Sequence, residues 1–252
     1  MTPVKLSTLT DRLIKAAKNA GADAADAMVA EGTSISIDVR AGALEHAERS
    51  EGIDIGLRVF VGPKQANVSA SDLSDRTIDE MAIRAVAMAR EAPDDPFAGL
   101  ADPAELACNW DIDALELCDN TPEPTAEALQ QDACAAEAAA LEVRGVAQVQ
   151  QASGGYSAHR IWLAASNGFS GGYRRTDRGI SCVAISGTGT RMERDYSGDS
   201  RIFQSDLRSS QDIGQEAGER AIARLGARKP PTGTYPVLFD ERISSSLIGS
   251  KN

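Results

Sequence analysis

Histidine and aromatic side chains are scarce in this sequence of 252 residues, with two histidines and 4% Phe, Trp and Tyr. A zinc site needs three or four well-placed ligands, and HxxxH, CxxC and CxxH spacings are all missing. The four cysteines also lack metal or redox spacing, so we expect free, buried thiols in a reducing compartment: Cys108, Cys118, Cys134 and Cys182.

Long apolar runs are missing as well, since no stretch approaches the ~18 apolar residues of a membrane span. The first residues, MTPVK, contain no apolar segment of the kind that marks a secretory signal. We therefore expect a cytoplasmic protein without a membrane partner. Hydrophobic residues still make up 42% of the chain, enough for a substantial core.

Basic residues are missing from one long segment, residues 91–142, which holds 14 acidic side chains and no Lys or Arg. The formal net charge of the whole chain is −11, which argues against direct nucleic-acid binding through a basic surface. The acidic segment has two interpretations, a solvated face or a docking surface for a basic partner.

Two kinds of periodicity alternate along the chain. Apolar residues at helical spacing predict four helices, at residues 7–20, 74–90, 125–143 and 210–225. Ser74 or Thr77 can cap the second helix, and Thr125 the third. Runs with a period of two predict strands, at residues 34–39, 53–61, 146–152, 161–166, 169–173 and 180–186, with a short return strand from residue 68. Asn167-Gly168 predicts a hairpin turn.

This order predicts an α+β fold: a two-layer domain of antiparallel strands with helices on one face. The order helix, meander, helix occurs twice along the chain, so we predict an internal duplication of an α–β–α unit. The alternative is that alternating elements look repetitive by chance.

A domain boundary is predicted where two prolines and a glycine follow the fourth helix. We place the N-terminal α+β domain at residues 1–228, a linker at 229–234, and the first elements of a truncated C-terminal β-rich domain at 235–252. A strand at residues 235–239 should begin that second domain. Its apolar residues need a partner surface, so either they pack back on the first domain or the rest of the second domain is missing. We expect the latter.

The residues by themselves predict no catalytic group. The G-x-S-x-G elbow of a serine hydrolase is absent, and Ser244-Ser245-Ser246 is interpreted as a helix start. Residues 186–191 lack the third glycine of a dinucleotide loop and are interpreted as a turn. His46 and His159 are interpreted as surface or half-buried residues.

Several segments together resemble the TldD/PmbA family, the so-called modulators of DNA gyrase, and within it the PmbA (TldE) branch. The resemblance spans nearly the whole chain and is most specific at residues 225–240, LGARKPPTGTYPVLFD. The other segments are LRVFV at 57–61, SASDLS at 69–74, SNG at 166–168 and MERDY at 192–196.

The resemblance implies a longer protein whose second domain is β-rich. It also implies that TldD-type subunits are zinc peptidases, with a helical H-E-x-x-x-H motif whose imidazoles bind the metal and whose Glu activates water. TldD and PmbA subunits would form a heteromeric protease that encloses small unfolded or modified peptides in a chamber.

This chain departs from that motif. In an ungapped placement the motif falls on residues 240–245, where Glu241 keeps the Glu position but Asp240 and Ser245 replace the histidines. A serine hydroxyl is a poor zinc ligand. We therefore expect no metal and no catalytic residue here, and zinc in the partner subunit. No histidine follows His159, so this expectation does not depend on the placement.

The function implied is that of a non-catalytic PmbA/TldE-type subunit in a cytosolic TldD–TldE metallopeptidase that processes or degrades peptides. Its partners would be a TldD-like catalytic subunit and a peptide substrate, which would add to a sheet edge at residues 34–39 or 169–173. One alternative is an acidic regulatory protein that docks a basic partner, such as a DNA-handling enzyme. Another is an autonomous hydrolase that uses Ser or Asp.

Overall fold

A computed structural model describes residues 5–108 and 111–249. Its helices are α1 Leu6–Asn19, α2 Asp75–Glu91, α3 Ala126–Glu142, α4 Ser210–Ala223 and α5 Glu241–Gly249. Its strands are β1 Ala24–Arg40, β2 Ala43–Val61, β3 Lys64–Ala70, β4 Val146–Ala165, β5 Ser170–Ser186 and β6 Glu193–Arg201.

The strands form one antiparallel six-stranded sheet in the order β3-β2-β1-β4-β5-β6. Two three-stranded meanders therefore meet where β1 pairs with β4. Each meander is preceded and followed by a helix, α1 and α2 around the first, α3 and α4 around the second. This arrangement is the predicted repeated unit, and the α+β prediction is confirmed.

Helices α1 to α4 cover one face of the sheet. Side chains at alternate positions of β1 point to that face, and they fall into two buried groups: Ala25, Ala27, Val29 and Ile35, Ile37, Val39. The first group packs in a core with α1 and α2, and the second in a core with α3 and α4. The middle of β1, with Glu31 and Thr33, lies between the two cores and is half-buried.

Helix boundaries follow from side-chain caps. The Ser74 hydroxyl accepts a hydrogen bond from the backbone N–H of Thr77, so Ser74 caps α2, and the alternative cap at Thr77 is wrong. The Thr125 hydroxyl caps α3 in the same way. Gly21 follows α1 with φ +98°, a conformation that favours glycine and ends the helix.

The strands run beyond the segments that hydrophobic alternation predicts. β1 begins ten residues before residue 34, and β6, with the polar sequence ERDYSGDSR, was not predicted at all. Residues 235–239 are not a strand, so that prediction is wrong. They are largely exposed, and Leu238 is 99% exposed, so this segment buries little apolar surface. Among the described helices, none is long and apolar enough to cross a membrane.

Candidate functional site

The window in which the resemblance predicts a degenerate metal motif lies at the start of α5. Asp240 precedes the helix, Glu241 is its first residue, and Ser245 lies one turn further on. The Arg242 guanidinium binds both Asp240 oxygens, with Nε–Oδ1 2.9 Å and Nη2–Oδ2 3.0 Å. This ion pair holds the pKa of Asp240 well below its usual range. The carboxylate is thus engaged by a cation, and a zinc ion does not fit this residue set.

Arg242 also ties α5 to the sheet. Its Nη1 donates to Asp195 Oδ1 at 2.8 Å and to the Tyr196 carbonyl at 2.9 Å, and its guanidinium lies 4.7 Å from the centre of the Tyr196 ring. Asp195 is buried and Tyr196 is half-exposed on β6. The residues of the predicted metal window therefore act as a structural clamp on the last strand.

The two histidines lie far apart. His46 is opposite Asp38 of β1, and His159 is opposite Gly32, so six residues of β1 separate them along the strand. At about 3.3 Å per residue this separation is roughly 20 Å. His46 and His159 cannot share a metal ion. No group of three His, Cys, Asp or Glu side chains is placed to hold a metal within residues 5–108 and 111–249.

The four thiols are free, as expected, but their burial differs from the prediction. Cys182 is buried in the second core, and burial raises the pKa of its thiol to about 12. Cys118 and Cys134 are half-buried and Cys108 is exposed, so the prediction of four buried thiols is wrong for these three. They lie on loops or on a helix face that the cores do not cover completely.

The two strand segments predicted as peptide-binding edges differ in the structure. Residues 34–39 are paired with β2 on one side and β4 on the other, so their prediction as an edge is wrong. Residues 169–173 do reach an edge, because β6 pairs with β5 only from Arg178 onward. We call residues 170–175 the β5 outer edge. In the described part of the chain, no strand pairs with its far side.

The β5 outer edge presents main-chain groups at alternate residues. The N–H of Thr176 points away from β4, because it donates to the Leu117 carbonyl in the loop before α3 (3.1 Å). The register is regular from there back to residue 170, so the N–H and C=O groups of Gly172 and Arg174 also point outward. They are available to an additional strand.

A cleft of about 980 Å³ lies along this edge, and we call it the β5 cleft. Its walls come from the start of α1, the loop around Leu117 and the side chains of β4 and β5. Trp162 lies over Gly172, where a Cβ atom would be 2.5 Å from the indole ring. The indole N–H donates to the Ser170 hydroxyl at 3.2 Å.

The far edge of β6, in contrast, is covered by arginines. Arg224 donates to the Arg194 carbonyl, and Arg220 and Arg242 both donate to the Tyr196 carbonyl, at 2.9 to 3.3 Å. Carbonyls bound in this way cannot accept from another strand. The two ends of the second meander therefore differ: β6 is closed and the first part of β5 is open.

The acidic segment is partly structural. Among its described residues, the carboxylates that accept hydrogen bonds include those of Asp95, Asp102, Asp111, Asp119, Glu123, Asp132 and Glu137. Asp119 is buried, and the backbone N–H groups of Gln204 and Thr121 hold its pKa below the usual range. A docking role for the segment stays a prediction, but much of its charge already serves to fix loops and helices.

An open antiparallel sheet built from two like meanders, with paired helices on one face, defines the fold class. Two domain models cover most of it: residues 25–89 match PmbA/TldA metallopeptidase domain 1, and residues 119–225 match the PmbA/TldA metallopeptidase central domain. The chain belongs to the PmbA/TldD family of metallopeptidase-related proteins.

Relatives agree with this assignment. Metalloprotease PmbA of Escherichia coli O157:H7 is 29% identical over 231 residues, which are 90% of this chain and 50% of the relative. A PmbA homolog of Haemophilus influenzae is 27% identical over 238 residues, 93% of this chain and 51% of the relative. The chain thus spans about half the length of the curated relatives it matches.

Solved structures show the same fold. A modulator of DNA gyrase from Bacteroides thetaiotaomicron matches with a TM-score of 0.85 at 23% identity, over 99% of this chain and 56% of its own. TldE from Thermococcus kodakarensis matches with a TM-score of 0.68 at 15% identity, over 85% of this chain and 47% of its own.

Sequence reasoning missed two parts of the site. The clamp role of Arg242 depends on β6, which has no hydrophobic alternation to reveal it. The open edge depends on where β6 stops pairing with β5, which is a tertiary property. A signal for the site was present in the glycines of the run SGGY at residues 170–173, because glycines inside a strand often mark close approach of another group.

Proposed function

We propose that this chain is a non-catalytic part of a cytosolic TldD–TldE-type metallopeptidase, which handles peptide while a TldD-type partner supplies the catalytic zinc. The observation that carries the proposal is the ion pair of Asp240 with Arg242, at the place where the resemblance predicts a metal ligand. Ser245 as the other ligand position and the separation of the two histidines support it. Family membership supports the peptidase context.

The chain's own residues would contribute structure and peptide contacts. The single sheet with helices on one face leaves a broad second face and the β5 outer edge accessible, and both are surfaces that extended peptides can bind. The domain boundary near residues 229–234, and a β-rich domain beyond it, remain part of this proposal.

The test is reconstitution. The purified chain, a TldD-type subunit from the same organism and their mixture are compared for bound zinc and for cleavage of an unstructured fluorogenic peptide. We expect zinc in the TldD-type subunit, none held tightly by this chain, and faster cleavage by the mixture than by the subunit alone. Equal cleavage with and without this chain, or one zinc ion retained per isolated chain, would refute the proposal.

An Asp240→Ala variant serves as the matched control. If Asp240 is only a partner of Arg242, the variant should leave the zinc content and the cleavage rate of the mixture unchanged. A drop in bound zinc would instead assign a metal to this window.

A further inference from the structure

The β5 outer edge carries an incomplete row of charges. Arg160 of β4 pairs with Glu31 of β1, with Nη1 2.9 Å from the Glu31 carboxylate. On its other side Arg160 stands directly opposite Arg174 of β5. Like charges directly opposite each other in a sheet are unfavourable. The row runs Glu31, Arg160, Arg174 across three strands, and then the sheet ends.

Arg174 is the uncompensated member of this row. Its side chain is exposed and lines the β5 cleft. No ion pair includes it in residues 5–108 and 111–249. A strand added beside β5 would place one side chain directly opposite Arg174 on the same face of the sheet. A carboxylate at that position would pair with Arg174, so that each arginine of the row would have one acidic neighbour.

The adjacent row on the same face ends in an apolar gap. It runs from Val29 of β1 through Trp162 of β4 to Gly172 of β5. Gly172 has no side chain, and the Trp162 ring lies over its backbone. A residue on an added strand opposite Gly172 would lie beside this indole. A large apolar side chain there would cover ring surface that is now half-exposed.

Next to this edge, at Thr176, a loop of the same protein already pairs with β5. Thr176, two residues beyond Arg174, donates its N–H to the Leu117 carbonyl and receives the Asp119 N–H on its hydroxyl at 2.8 Å. The loop before α3 thus occupies the pairing position at Thr176, directly beside the β5 outer edge. The next two positions, at Arg174 and Gly172, present the same outward groups.

We propose that the β5 outer edge binds an extended peptide as an antiparallel strand, with an acidic residue opposite Arg174 and a large apolar residue two positions later opposite Gly172. The pattern is acidic, any residue, apolar, because an antiparallel strand runs from Arg174 toward Gly172. The residue between them faces the other side of the sheet, beside Tyr173. This inference deepens the proposed peptide-handling role by naming the class of peptide.

The binding test uses the full chain alone, without a protease subunit. The probe is a fluorescein-labelled hexapeptide, Thr-Glu-Thr-Phe-Thr-Thr, and fluorescence anisotropy measures its affinity. Replacing its Glu by Lys should weaken binding at least tenfold, because attraction to Arg174 becomes repulsion. The variant Arg174→Glu should reverse that order of preference. Arg175→Glu is the matched control, since Arg175 is the next residue of β5 but its side chain points to the opposite face.

Backbone methylation of the probe tests strand addition itself. In the proposed register the N–H groups of the peptide Glu and Phe donate to β5, while that of the intervening Thr points away. N-methylation of Phe should therefore abolish binding, and N-methylation of the intervening Thr should change it less than threefold. Equal effects of the two methyl groups, or the same affinity for Arg174→Glu and Arg175→Glu, would overturn the inference.

The outcomes remain separable from those of the proposed function. A chain that increases cleavage by a TldD-type subunit but does not bind the probe would refute the edge site alone. A probe that binds with the reversed pattern, Phe-Thr-Glu, better than Glu-Thr-Phe would refute the antiparallel register.

Discussion

The two meanders share a topology but differ in the side chains beside the corresponding part of their strand edges. In each, the first part of the second strand extends beyond the third strand: residues 43–54 of β2, and residues 170–175 of β5. We call the former the β2 outer edge. Each lies near the start of a helix from the other repeat, α3 for β2 and α1 for β5.

The side-chain ion pairs beside the two edges differ. At the β2 outer edge, Arg49 pairs with Glu51 on its own strand and with Glu123 just before α3, at 2.6 and 2.5 Å. The cavity left there is about 320 Å³, against about 980 Å³ for the β5 cleft. At the corresponding place before α1 stands Lys5, which cannot neutralise Arg174. The two repeats thus share a strand topology, but Arg49 of β2 pairs with the segment before the neighbouring helix, whereas Arg174 of β5 forms no ion pair in the described residues.

Helix packing also differs between the repeats, and this difference gives the largest predicted effect. A Cβ atom at Gly214 of α4 would lie 2.0 Å from the Ala136 carbonyl oxygen of α3. Gly214→Ala should therefore destabilise the chain by about 3 kcal/mol, because two helix backbones would have to separate. Urea denaturation measures the change.

The control is Asp79→Ala, at the same distance from the start of α2 and exposed. It should change stability by less than about 0.5 kcal/mol. An effect of Gly214→Ala as small as that of Asp79→Ala would show that α3 and α4 can separate at little cost, and would contradict their close packing at Gly214.

The tip between β1 and β2 depends on a buried carboxylate. Glu137 of α3 is 3% exposed and accepts the N–H groups of Ala41 and Gly42, at 2.7 and 2.8 Å. Glu137→Ala should cost about 2 kcal/mol and speed hydrogen exchange at those two amides. Asn167 in the corresponding β4–β5 turn is half-buried and its hydrogen bond to the Ala101 carbonyl is exposed, so Asn167→Ala should have a smaller effect. Unchanged exchange at Ala41 and Gly42 would contradict the role of Glu137.

The loop beside the β5 cleft is anchored by Asp119, and this anchor should weaken in acid. Its pKa is lowered in the folded state, so its contribution is fully present above the pKa of the unfolded chain, about 3.9. The contribution is lost as pH falls through the lower, folded-state pKa. Asp119→Ala should cost about 1.5 kcal/mol at pH 7, and the gap to the original chain should narrow toward pH 2.

Urea denaturation at a series of pH values measures this. Asp113→Ala, an exposed acid in the same loop, should leave the pH dependence nearly unchanged. A gap that stays constant between pH 7 and pH 2 would show that Asp119 acts through packing and not through its charge.

The smallest effect is expected at the closed edge of β6. Arg242→Ala should reduce global stability by less than about 1 kcal/mol, because the clamp lies at the periphery of the sheet and Arg224 still pairs with the buried Asp195. It should nevertheless release α5, and chymotrypsin should then cut faster near Tyr235 and Phe239. Lys229→Ala in the preceding linker should leave the cleavage rate unchanged. Equal rates for the two variants would mean that Arg242 does not hold the segment.

Sequence reasoning located elements well where burial imposes a period. The four predicted helices lie within two residues of α1 to α4, because each buries one apolar stripe, such as Ile213, Ala217 and Ala221 of α4. It failed where backbone pairing alone defines a strand. β6 and the first half of β2 are polar, so their side chains carry no hydrophobic alternation that distinguishes them from loops.

Site prediction was less complete for the same reason. That Asp240 and Ser245 occupy the predicted metal window could be inferred from the sequence, since this concerns residue types. That residues 34–39 are interior and 170–175 are at an edge required the order of strands. The opposition of Arg160 and Arg174 required their register.

The amino-acid sequence by itself determined the family, the repeated α–β–α order and the scarcity of histidine. These properties depend on which residues occur and at what local spacing. The tertiary structure alone decided which part of a strand edge is closed, which carboxylates are buried and that Arg174 stands opposite another arginine without an ion pair in the described residues. Those properties arise from contacts between residues far apart in the chain, as between Glu31 and Arg160, and no local pattern encodes such pairing.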